Sequence, residues 1–133
     1  MRTIKFRGKD VKTGEWVYGD LHTLCDKPHI HTEPTTYPFA GRRSFIDPDT
    51  IGQFTGLQDR NGRDIFEGDI VRSAIYTEFV YEVVYNDERF ASFGLRRKQD
   101  AFMHYFGEAI EAEECEVIGN VYDNPELLEG GDK

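Results

Sequence analysis

Four groups of side chains in this sequence are of types that do chemistry. The first lies between Asp59 and Val71, DRNGRDIFEGDIV, where four of thirteen residues are Asp or Glu and two are Gly. A calcium loop needs oxygen ligands at alternating positions, because each must turn inward to one ion. Asp59 and Asn61 fit the first and third positions. The rest fails: Gly62 arrives two residues early, Arg63 takes a ligand position, and Asp64 stands where the glycine bend belongs. Ile70 replaces the bidentate Glu. Two turns account for the segment better. Asn61-Gly62 is the strongest two-residue hairpin signal and predicts a type I′ turn with positive φ at both residues. Glu67-Gly68 predicts a second tight turn, which makes Asp59, Asp64 and Asp69 turn and cap residues.

The second group is His22, Cys25, His29 and His31, spaced H-x2-C-x3-H-x-H. These are zinc donor types, but the paired two-and-two layout of a zinc finger is missing. His29 and His31 share one face of a strand, as exposed edge residues also do, and Pro28 constrains the segment. The donor types match but the spacing does not, so a polar surface stretch fits better and no metal ligands are assigned. The third group is Cys25 or Cys115 with His104, a nucleophile and base only if the fold brings them together. No nucleophile elbow, P-loop or dinucleotide fingerprint accompanies them. Glu113 and Glu114 read as a solvated acidic face. The fourth group is basic: Gly41-Arg42-Arg43 and Leu95-Arg96-Arg97-Lys98. Nucleic-acid-binding domains are usually basic overall, and this chain carries a formal charge of -9. A field of that sign repels phosphate backbones. Catalytic, cofactor-binding and metal residues therefore all stand at none.

The elements that must position these groups are mostly strands. Aromatics reach 14% of 133 residues, which favours a packed core and strands over helices. Residues 3–7, 16–21, 44–46, 51–55, 64–66, 70–72, 79–85, 89–96 and 116–122 read as strands. Gly14 serves the turn of an N-terminal hairpin, and Asp47-Pro48-Asp49 is a type I turn. Residues 79 to 96 form the strongest hairpin, turning at Asn86-Asp87-Glu88. Residues 22 to 43, broken by Pro28, Pro34 and Pro38, read as a loop or ragged edge holding a short strand near His29. Residues 99 to 115 are compatible with helix or strand. Asp123 or Asn124 caps a short helix from Pro125. With turns every ~8–12 residues, the pattern favours a small barrel or sandwich. No segment is long and apolar enough for a membrane span, and the N-terminus lacks the apolar stretch of a secretory signal. Two distant cysteines fit reduced thiols in a cytoplasm, with one disulfide left open.

Several blocks resemble the YopX family of bacteriophages and prophages. Ile4-Lys5-Phe6-Arg7-Gly8 and Trp16-Val17-Tyr18-Gly19 look like its opening strands. Asp47 to Leu57 and Asp59 to Val71 look like its characteristic centre, and Glu116 to Leu128 its close. The resemblance implies a mostly β protein with a barrel-like part, related to phage and without an established activity or family catalytic residues. The expectation is an all-β chain in one YopX-like domain. Residues 1–55 form an N-terminal β-hairpin lobe. Residues 56–133 form a small SH3-like barrel, mainly 56 to 123, with a short C-terminal helix. The expected function is a non-enzymatic binding module of the bacterial cytoplasm with a protein partner, free of cofactors and membranes and compatible with a homo-oligomer. Nucleic-acid binding through a local basic and aromatic patch is the first alternative. A metal-dependent enzyme is the second.

Overall fold

The computed structural model describes residues 3–31, 43–86, 92–97, 103–106 and 111–130. Among the described residues, eleven strands, two 3-10 turns and one short helix make the chain mostly β, as its strand-forming composition requires. The contacts divide it into two units, Met1–Phe54 and Thr55–Lys133.

The first unit holds β1 (Phe6–Lys9), β2 (Trp16–Leu24), β3 (Lys27–His31), β4 (Arg43–Phe45) and the start of β5 (Gly52–Gln58). They pair antiparallel in the order β4-β3-β2-β1-β5. Asp10 shapes the β1–β2 turn, where its Oδ1 accepts from the amides of Lys12 (2.7 Å) and Thr13 (3.1 Å). Asp47 caps the 3-10 turn Pro48–Thr50 by accepting from the Asp49 amide at 3.0 Å. The Asp-Pro-Asp turn expected from sequence is therefore present, extended by a second successive turn into a short 3-10 helix. Residues 22–31 are more regular than expected: β2 runs to Leu24, and β3 pairs with it from Lys27 to His31. Cys25 and Asp26 turn the corner with φ of 52° and 62°. Two successive left-handed residues give a two-residue hairpin the twist of its strands. The core on this side includes Ile30 and Ile46.

The second unit begins with Thr55–Gln58, whose Thr55 hydroxyl donates to the Ile65 carbonyl of β6 (Asp64–Phe66) at 2.8 Å. Its main sheet contains β7 (Asp69–Ser73), β8 (Val80–Asn86), β9 (Ser92–Arg96), β10 (Met103–Tyr105) and β11 (Cys115–Asn120). The order is β10-β9-β8-β7-β11, all antiparallel. Val83 faces Leu95 across the expected β8–β9 pairing; the turn expected at Asn86-Asp87-Glu88 falls largely outside the described residues. The alternation of 80–84 and 115–117 buries Val71, Tyr81, Val83, Leu95, Cys115 and Val117 in one cluster with Ile65. Part of the ambiguous stretch 99–115 is strand, as β10, and part is the 3-10 turn Ala112–Glu114.

The expectation of an SH3-like barrel needs correction. β10 and β11 are the two edges of an open sheet, and no described strand joins them. β11 carries a bulge between Val117 and Gly119. The C-terminal helix α1 (Glu126–Gly130) then brings Leu127 against Gly119, where an added Cβ would lie 2.9 Å from Leu127 Cδ1. A bulge bends a strand, and the helix occupies space beside it. Among the described residues no helix is long and apolar enough to cross a membrane.

Candidate functional site

Strand alternation sends every second residue to one face, and register decides which side chains meet across strands. In the first unit Asp20 pairs with His31 and His22 with His29. His29 pairs in turn with Phe45, and His31 with Arg43. One face of β2, β3 and β4 thus carries two rows: His22, His29 and Phe45, then Asp20, His31 and Arg43. Three of the chain's four histidines stand there.

The rings are close. Centroids lie 4.5 Å apart for His22 and His31, 5.2 Å for His29 and His31, and 5.5 Å for His22 and His29. Phe45 closes the far side of His29 at 5.5 Å. His22 is exposed and His31 half-buried, while His29 is 4% exposed. The His29 Nδ1 is buried without a hydrogen-bond partner. Burial holds His29 below the usual histidine range, and Arg43 and the two other imidazoles push the same way.

Cys25 sits exposed in the β2–β3 turn, beyond the Leu24–Lys27 pair and away from the imidazole rows. His104 belongs to β10, and its side chain lies outside the described residues. Cys115 is fully buried in the second unit. Its burial, with Glu114 and Asp59 nearby, pushes the thiol up to about 12. At pH 8 such a thiol is ionised to about one part in ten thousand. Iodoacetamide is therefore expected to label Cys25 alone in the folded chain and both cysteines after denaturation. Native labelling of Cys115 at the Cys25 rate, read by mass spectrometry, would contradict that burial.

The Asp59–Val71 segment is structural. Asp59 is 5% exposed. Its Oδ1 accepts from the amides of Asn61 (2.8 Å) and Arg63 (2.9 Å), and its Oδ2 from the amide of Val117 (2.9 Å). Asp69, 2% exposed, accepts from the Phe66 amide at 2.7 Å across the Glu67-Gly68 turn. Asp59 and Asp69 act as turn and cap groups, as expected; Asp64 instead opens β6 and accepts from the Gln58 side-chain amide at 3.1 Å. The type I′ turn does not form. Gly62 has φ of 78°, but among the described residues only Cys25 and Asp26 are non-glycines with positive φ. Gly62 N donates to Asp59 O at 3.0 Å, and Asp59 N to Arg63 O at 2.8 Å. That is a three-residue hairpin loop with its glycine in the left-handed position, selected because the Asp59 carboxylate captures the Asn61 amide.

Of the basic patches, Arg96 pairs with Glu82 at 3.3 Å, and the Arg97 guanidinium lies 4.0 Å from the Phe79 ring centre. Arg43 flanks the imidazoles; Gly41, Arg42 and Lys98 lie outside the described residues. Sequence reasoning missed an apolar groove of about 490 Å³ in the first unit, lined by Val11, Asp26, Lys27, Pro28, Phe45, Ile46 and Pro48. Val11 is 59% and Phe45 37% exposed beside it. No local pattern marks it, because it forms where the β2–β3 turn, β4 and the Pro48 turn meet.

Comparison with known proteins places this architecture. The family described as YopX protein matches residues 5–129. Among solved structures the chain is similar to the crystal structure of protein EF1440 from Enterococcus faecalis. The TM-score is 0.59 at 27% sequence identity, covering 96% of this chain and 99% of that one. No curated protein matches the chain.

Proposed function

Since the chain belongs to the YopX family, we propose that it is a non-enzymatic accessory protein of phages and prophages that binds a protein partner in the bacterial cytoplasm. The groove beneath Val11 and Phe45 carries the proposal. Exposed apolar side chains around a concavity are where an apolar segment gains most by leaving water. Asp26 and Lys27 line the groove with opposite charges, and Asp47 and Asp49 stand exposed beside its Ile46 and Pro48 wall, leaving the rim acidic on balance. With a whole-chain charge of -9, that rim suits an apolar peptide segment flanked by Lys or Arg. The two buried carboxylates of the central segment, Asp59 and Asp69, are engaged with backbone amides, which supports a binding rather than a catalytic role.

Val11→Glu places a charge on the groove without touching the core, so the fold is expected to survive. Pull-down from phage-infected or induced cells should then recover at least about tenfold less partner, since burying an unpaired charge is costly. The recovered protein should release with rising salt. Undiminished capture by Val11→Glu would remove the groove as the binding surface.

A further inference from the structure

We propose that His22, His29 and His31 bind one divalent transition-metal ion of the imidazole-preferring kind, such as zinc. The proposal goes beyond the partner-binding reading and does not depend on it. Two donors two residues apart on β3 and a third on β2, set opposite by register, put three imidazoles on one sheet face. A metal–nitrogen distance of about 2.1 Å with tetrahedral angles sets three ring centres roughly 5 Å apart. The observed separations of 4.5, 5.2 and 5.5 Å bracket that value.

The second observation is independent of spacing. His29 is 4% exposed, and its Nδ1 is buried with no hydrogen-bond partner. Buried polar atoms are nearly always satisfied, and an ion is one of the partners that satisfies them. As placed, His22 and His29 stack at 17°, and His31 is tilted to them by 36° and 37°. Among the described residues no three donors already converge on one point. Rotation of exposed His22 and half-buried His31 about their side-chain bonds turns their nitrogens toward fixed His29. Such rotations are inexpensive at a sheet surface. Arg43 and Lys27 on the same face weaken the pull on a cation, and Asp20 opposite His31 offsets them. Imidazole nitrogens with little carboxylate select zinc, copper, nickel or cobalt over magnesium and calcium.

The test titrates zinc chloride and cobalt(II) chloride into the purified full chain, followed by calorimetry and, for cobalt, visible absorption. One ion per chain is expected, with the absorption bands of four-coordinate cobalt. His22→Ala removes an exposed ligand, leaves the melting temperature of the metal-free chain unchanged and weakens binding at least about tenfold. His31→Ala has the same effect, and Cys25→Ser none. Absence of saturable binding overturns the proposal. So does unaltered affinity in His22→Ala, loss of binding in Cys25→Ser, or equal binding of magnesium. Val11→Glu leaves metal affinity intact, so failure at the imidazoles and failure at the groove are separable.

Discussion

Asp59→Ala is expected to destabilise the second unit by about 3 kcal/mol, because one carboxylate satisfies three backbone amides. The three contacts are unequal. Asn61 is exposed and its amide can find water when the carboxylate leaves, so that loss is modest. Val117 is 6% exposed and belongs to the core cluster. Its amide would be left buried without an acceptor, a penalty of roughly 1–3 kcal/mol by itself. The Asp59 to Val117 bond also spans 58 residues, tying the central loop to β11. Asp59→Asn tests the division. Its amide keeps one oxygen for the loop but turns two N–H groups toward the Val117 amide or the loop amides, so it should cost more than half of the alanine effect. Urea denaturation followed by circular dichroism gives the totals. Hydrogen exchange at the Val117 amide, and faster iodoacetamide labelling of neighbouring Cys115, locate the loss. A total below about 1 kcal/mol would show that water replaces the carboxylate at Val117.

The same residue shows how much was legible. The turns in DRNGRDIFEGDIV could be read because Gly62 and Gly68 mark positive φ whatever surrounds them. The type of the first turn could not. Asn-Gly favours type I′ by local preference, but Asp59 holds the Asn61 amide and selects a longer loop. Two-residue left-handed geometry appears instead at Cys25 and Asp26, where no glycine announces it. Its consequence is large, since that turn fixes the register that faces His22 with His29. The donor types of the imidazole rows were visible in sequence and their convergence was not. Pro28 argued against a strand there, yet it pairs opposite Thr23 and takes part through its carbonyl, which accepts from the Ile46 amide at 3.2 Å. The mostly β composition and the β8–β9 hairpin followed from alternation. That this sheet stays open did not, because closure would need β10 and β11 to pair, which neither strand encodes alone.

Gly19→Ala should be the most damaging single-methyl addition in the first unit, lowering stability by about 3 kcal/mol or more. Gly19 lies in β2 at φ of 155°, opposite Phe6. A Cβ built there overlaps the His31 carbonyl oxygen and falls 2.9 Å from its carbon and 3.2 Å from Ile30 Cγ2. Two of these atoms are backbone, so no rotamer change relieves the overlap and β3 itself must move. Ile30 is fully buried, so movement of β3 also disturbs the core. Gly62→Ala is the control, since its φ is 78° and nothing lies within 4 Å of an added Cβ. That substitution should cost only the left-handed backbone penalty, about 1–2 kcal/mol. Trp16 is the only tryptophan and lies in the same strand as Gly19. Thermal unfolding followed by its fluorescence should show a lower midpoint for Gly19→Ala than for Gly62→Ala. Displacing β3 also separates His29 and His31 from His22, so zinc affinity should fall in Gly19→Ala even at temperatures where the unit remains folded. Equal stability of the two glycine variants would mean that β2 and β3 can slip apart locally at little cost. The register would then be too soft to hold three imidazoles around one ion.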